Sequence, residues 1–394
     1  MAAVRSDARP RLPGSWTRQH RFPAAEFISD DQGVTATVAA IAGASLADYQ
    51  RAAGYLADTW GCVSVRAEQQ GPGLIQLRGL HRDPLLAPAR IDLSGTAPAS
   101  LISWWLGWSE DGSVVMVRLA EVSGMVVAGL AGCGKTMLVA HLLGQLAPSL
   151  AVQFVLIDGK GGPDYDRLVP RAWLSAKDDL THVRDVLRQV HRLMVDRQGA
   201  IAQVLGMTDA WHLGPSPSWP LIVVVIDEAH TFFHERKGTS PEVKAHNALV
   251  AELSRLVEEL IRKGRNVAIQ VMLLTPTRHR GRDPDPHPGQ LPGRDLVRHS
   301  DDRWCRRGAG RGDSPASRRL PVLLNDPAYV GVAVTSLPGR PGFHRVRTPQ
   351  VDHHQVAAII RATTGLRRDP AGLLAERAPG LRVLPPMPAP EDVA

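Results

Sequence analysis

Cysteine is scarce and scattered in this chain. Of 394 residues only Cys62, Cys133 and Cys305 are cysteines. An odd number, far apart and without metal-ligand spacing, argues against a disulfide framework and for a reducing compartment. Lysine is scarce too, limited to Lys135, Lys160, Lys177, Lys237, Lys244 and Lys263. Arginine therefore carries most of the formal net charge of +7. A basic balance favours an anionic partner, most often nucleic acid. Abundant Ala, Gly and Pro also suggest a GC-rich gene, so codon bias accounts for part of the arginine. No apolar run approaches the ~20 residues of a membrane span, and residues 34–44 are too few and too small-sided to make one. Nothing reads as a secretion signal. The expected product is soluble and cytoplasmic.

Against these absences stands one segment rich in information. Gly129-Leu130-Ala131-Gly132-Cys133-Gly134-Lys135-Thr136 matches the phosphate-binding loop pattern G-x-x-x-x-G-K-[ST] in full. Residues 125–128 read as a short buried strand entering the loop, and residues 137–146 as a helix leaving it. Glycines let the backbone fold so that successive N–H groups face phosphate oxygens, and the helix N-terminus adds its positive dipole end. In such a loop Lys135 reaches the β- and γ-phosphates and the Thr136 hydroxyl can ligand Mg²⁺.

A second segment completes the pattern. Residues 221–226 form a continuous run of Leu, Ile and Val that ends in Asp227-Glu228-Ala229-His230. Such a run suits a strand buried on both faces of a parallel sheet. Acids at its C-terminal end lie where open α/β sheets hold ligands. Asp227 would hold Mg²⁺, directly or through water, and Glu228 would act as general base on the attacking water. Two acids after a strand mean little alone. Joined to the phosphate loop they define an ATPase reading, with ATP and Mg²⁺ as cofactors.

The rest of the chain fits around this core. Residues 1–30, mixing Arg, Pro, Gly and Ser, read as a flexible arm. Residues 31–112 read as a small α+β domain, with a helix over 45–59 and strands over 62–66 and 74–77. Residues 101–108 and 113–119 flank Asp111-Gly112 as a hairpin. Trp104, Trp105 and Trp108 can stack on bases or, more commonly, pack against a neighbouring element. Residues 113–365 read as the ATPase domain, and from Val122 onward strands and helices alternate, which predicts a mostly parallel sheet with helices on both faces. Residues 180–194 and 249–261 carry amphipathic helix patterns, and 152–157, 267–274 and 331–336 read as strands. A final helix is expected over 352–363 and a disordered tail over 366–394.

Four segments resemble the FtsK/SpoIIIE DNA translocases, in particular the Tra-type plasmid-transfer ATPases of mycelial actinobacteria. They are the hairpin before the phosphate loop, the turn Asp158-Gly159-Lys160-Gly161-Gly162, the strand end Val225-Ile226-Asp227-Glu228, and residues 257–265 with the following strand 269–275. The resemblance implies a RecA-like P-loop NTPase core, ATP-driven movement along double-stranded DNA, and a homo-oligomeric, hexameric ring. It also implies membrane-associated transfer partners and a role in plasmid or chromosome transfer. Thr275 would then be a polar sensor near the γ-phosphate, or simply a strand-end cap.

After Leu274 the resemblance breaks. Thr275-Pro276-Thr277 replaces the family's Thr-Gln-Lys/Arg-Pro, and residues 278–320 are polar, without hydrophobic periodicity. GC-rich codons for residues 280–302, read one nucleotide on, can encode a family-like peptide that contains the lost core strand. This predicts compensating frameshifts, which the coding DNA would reveal. Two alternatives follow: a degenerate homologue that binds nucleotide without motor activity, or another ring ATPase such as a conjugative coupling protein.

Overall fold

The computed structural model describes residues 23–30, 32–86, 90–120, 122–275, 327–336 and 343–379. The chain divides into two compact units, at Asp83 and Pro84.

The first unit is a four-stranded antiparallel sheet with one helix. Strands β1 (Ala25–Asp30), β2 (Gly33–Ala39), β3 (Ser64–Gly71) and β4 (Leu74–Leu80) run in the order β1-β2-β4-β3. Helix α1 (Leu46–Trp60) starts at Ser45, whose backbone N–H donates to Asp48 Oδ2 at 2.7 Å. Ala57 of the helix packs with Ala36, Val38, Val65, Ala67, Ile75 and Leu77 from one face of the sheet. Alternation with period two supplies that face. The expected flexible arm is corrected at its end, because residues 25–30 pair with β2 along their whole length. Residues 1–22 lie outside the described residues.

The second unit is an α/β layer structure. Its central sheet takes strands β8 (Gly124–Ala128), β9 (Val152–Asp158), β10 (Ala172–Ala176), β11 (Leu221–Asp227) and β12 (Ile269–Thr275), all parallel, in the order β10-β9-β11-β12-β8. Every residue of β9 and β11 is buried, which requires cover on both faces. Helices α2 (Lys135–Leu146), α3 (Leu180–Leu205) and α4 (Pro241–Lys263) contribute Leu142, Leu143, Val190, Leu193, Leu253 and Leu260 to that core. Two buried arginines tie off its loops. Arg171 donates to the carbonyls of Ala147, Ser149 and Val152, and Arg197 to those of Val267 and Pro220.

Beside this sheet lie smaller elements: β5 (Arg90–Ile91), β6 (Ser103–Ser109), β7 (Val114–Arg118), β13 (Val332–Ser336), β14 (Phe343–Arg347) and β15 (Gln350–Val351). They make an antiparallel sheet β13-β14-β6-β7 and the pair β15-β5. Helices α5 (His353–Ala362) and α6 (Pro370–Arg377) follow.

Three expectations change here. The hairpin of β6 and β7 lies whole within the second unit, which begins at Pro84, so a boundary at 112 would cut it. Residues 125–128 are not a buried strand: β8 is the outermost strand of the sheet among the described residues, and Val126 is 42% exposed. The tail expected from residue 366 contains α6. There Asp369 accepts hydrogen bonds from the amides of Ala371 and Gly372, Pro370 occupies the first turn, and Leu374 is buried. Proline in a first helical turn gives up only an N–H that has no partner anyway, so Pro and Ala content misled. Residues 380–394 and the whole polar stretch 278–320, with its frameshift expectation, lie outside the described residues.

Candidate nucleotide site

All five central strands point their C-terminal ends to one edge, and the sequence motifs meet that edge at two places. β8 ends at Ala128 and the chain turns through 129–134 into α2. Gly132 and Gly134 have φ of 77° and 99°, a region closed to most side chains. A Cβ on Gly129 would come within 2.6 Å of Cys133 Sγ. The loop's glycines are thus required by its shape. The N-cap residue of α2 is Gly134, which has no side chain to cap the first amides, and this leaves N–H donors and the dipole end for an anion. Lys135 folds back over the loop, its Nζ donating to the carbonyls of Gly129 at 2.7 Å and Leu130 at 3.1 Å. Thr136 lies in the same first turn.

Asp227 closes β11. Its Oδ1 accepts from the Glu228 amide at 2.8 Å and its Oδ2 from the Tyr165 hydroxyl at 2.9 Å. Both carboxylate oxygens are therefore oriented in a site where Asp227 is only 6% exposed. Burial, with the charges of Asp227 and Asp158, pushes the Tyr165 phenol far above its ordinary range, so it stays a donor. Glu228 takes a left-handed conformation, φ 49° and ψ 41°, which costs a non-glycine residue about 1 kcal/mol. His230 Nδ1 lies 3.3 Å from Glu228 Oε2.

Asp158, at the end of β9, is the register partner of Asp227. Its Oδ1 accepts from the Lys160 amide at 2.9 Å, while its buried Oδ2 has no partner among the described residues. Burial holds the Asp158 carboxyl above its usual range. The Asp227 and Asp164 charges add to this and the Lys160 amide opposes it. Two adjacent buried carboxylates with an uncommitted oxygen suit a hard cation. Mg²⁺ commonly takes one or two carboxylates and completes its shell with phosphate and water, so the donor set fits Mg²⁺ brought by a triphosphate.

The two places are neighbours. One strand, β12, separates β8 from β11. At a strand spacing of about 4.8 Å the two strand ends are roughly 10 Å apart, a gap that phosphates and one cation can bridge. Thr275 ends the intervening strand and is level with Ala128, and its carbonyl accepts from the Gly129 amide at 3.1 Å. Its backbone thus anchors the phosphate loop.

Sequence reasoning missed Tyr165 and His230. Tyr165 comes from an irregular connection between β9 and β10, where no periodicity or motif marks it. The tryptophans are packing residues. Trp104 is 2% exposed and edge-on to His141 at 5.9 Å, and Trp105 meets Trp108 at 4.8 Å.

No family model and no curated protein matches the sequence. Among solved structures the fold is similar to the pCW3 conjugation coupling protein TcpA, monomer form with ATPγS. That match has 15% identity, covers 88% of this chain and 94% of that one, and has a TM-score of 0.52. The cytoplasmic domain of the type VII secretion ATPase EccC from Thermomonospora curvata matches at 18% identity and TM-score 0.48, over 78% of this chain and 35% of that one. EssC (ATPases 2 and 3) from Geobacillus thermodenitrificans matches at 15% identity and TM-score 0.45, over 71% and 52%. The chain thus spans only part of the EccC and EssC chains it matches. The likeness to TcpA is one of fold, and at that level the resemblance to FtsK/SpoIIIE-type ATPases is borne out.

Proposed function

We propose that this chain binds Mg²⁺-ATP between the phosphate loop and the end of β11, and couples hydrolysis to movement of double-stranded DNA. The observation that carries the reading is the shared edge: a complete phosphate loop and the oriented Asp227 carboxylate close two strands of one parallel sheet, with a single strand between them. The loop amides 129–136 and the Lys135 ammonium would hold the phosphates. Thr136 and Asp227 would hold the metal, which neutralises phosphate charge when bound. Glu228 would take the proton of the attacking water, with His230 beside it.

The remaining parts of the reading are a homo-oligomeric, hexameric ring, a cytoplasmic setting and membrane-associated transfer partners in plasmid or chromosome transfer. The motif resemblance supports them, as does the fold likeness to a conjugation coupling protein that spans nearly all of both chains. Among the described residues no helix is long and apolar enough to cross a membrane. Phosphate contacts would grip DNA without reading sequence.

A second reading, nucleotide binding without motor activity, is favoured by one observation. β8 has no partner on its outer side among the described residues, and the chain after β12 is polar where the resemblance calls for a core strand. ATPase assays with and without double-stranded DNA separate the two. Stimulation by DNA supports the motor, whereas ATP binding without turnover supports the second reading.

A further inference from the structure

The phosphate loop is also held from outside the motif. The Cys133 carbonyl accepts a hydrogen bond from the Gly331 amide at 3.1 Å. Across a trans peptide the C=O and the next N–H point in opposite directions. Fixing the Cys133 carbonyl toward Gly331 therefore turns the Gly134 amide the other way. Gly331 adopts φ of 86° here, a conformation that residues with side chains rarely take. A Cβ built on Gly134 would lie 3.5 Å from Gly331 Cα.

The Gly331 turn is itself clamped. Arg347, at the end of β14, is 2% exposed. Its Nη1 donates to the Val330 carbonyl at 3.0 Å, its Nη2 to the Ala328 carbonyl at 2.6 Å and its Nε to the Leu85 carbonyl. The next amide, Thr348, donates to the Gly331 carbonyl at 2.9 Å. A buried guanidinium is costly unless its donors are met, and here two of them converge on the segment that touches the loop.

We propose that Arg347 is a positioning residue for the nucleotide site: by fixing the 328–331 turn it holds the Cys133 carbonyl and aims the Gly134 amide at the phosphates. The inference rests on the nucleotide reading for its purpose, but the linkage itself can be measured without nucleotide.

The test compares full-length wild type, Arg347→Lys, Gly331→Ala and Arg197→Lys. The last is a buried arginine that bonds carbonyls elsewhere in the same unit. Hydrogen exchange on the nucleotide-free proteins should show faster exchange in peptides covering 129–136 for Arg347→Lys and Gly331→Ala, with β9 and β11 unchanged. Arg197→Lys should leave those loop peptides at wild-type rates. Titration with a fluorescent ATP analogue should show about tenfold weaker binding for the first two variants, the effect of one lost hydrogen bond. Wild-type loop exchange in a folded Arg347→Lys protein would overturn the proposal. If that variant does not fold, unchanged loop exchange in Gly331→Ala overturns it instead. Failure of wild type to bind the analogue would sink the nucleotide reading, while the exchange data would still decide the clamp.

Discussion

Asp227 shows most clearly how single residues build this site. A carboxylate at a strand end can swing, yet here the Tyr165 hydroxyl and the Glu228 amide each hold one of its oxygens. Tyr165→Phe removes a buried hydrogen bond to a charged acceptor, which costs about 1.5–3 kcal/mol, and urea unfolding should show that loss. Glu228 differs in kind. Its strained backbone places a carboxylate beside His230, so its removal should affect turnover and spare binding. Glu228→Gln is expected to bind ATP like wild type while steady-state hydrolysis falls by about 10²–10⁴-fold.

At the scale of elements, the sequence was legible wherever a segment carried its own signal. The uninterrupted apolar run of β11 reported burial on both faces, and the amphipathic patterns of α3 and α4 each reported one buried stripe. The phosphate loop was readable because its backbone shape demands Gly132 and Gly134. What escaped were features decided by distant partners. Whether residues 124–128 are central or peripheral depends on strands elsewhere, and short β5, β14 and β15 carry no pattern of their own. The Pro-rich start of α6 hid a helix that docks through Leu374. Leu374→Ala should therefore cost about 2–5 kcal/mol, measurable as a lower urea midpoint, whereas a disordered tail would give no change.

Helix α2 supplies a pH dependence. Burial pushes its His141 imidazole down to about 4 from an ordinary 6.5. The unfolded chain then binds the proton more readily than the folded one between these values. Stability contributed by neutral His141 is present above pH 6.5 and is lost as pH falls toward 4, on the order of 3 kcal/mol in all. Unfolding free energies at pH 7 and 4.5 should converge for His141→Leu relative to wild type, and equal slopes would contradict the assignment.

For the whole molecule, everything turns on two motifs acting on one bound triphosphate. The small antiparallel unit, the β6-β7 hairpin and the Arg347 clamp matter to an ATPase only if that holds. Calorimetric titration of ATP into wild type, Lys135→Ala and Asp227→Asn, each with Mg²⁺ and with EDTA, tests it most directly. The account predicts that Lys135→Ala binds poorly in both conditions. It predicts that Asp227→Asn matches wild type in EDTA and loses the extra affinity that Mg²⁺ confers. Full Mg²⁺-dependent affinity in Asp227→Asn would contradict it, because the carboxylate on β11 would then not share the nucleotide held by the loop on β8.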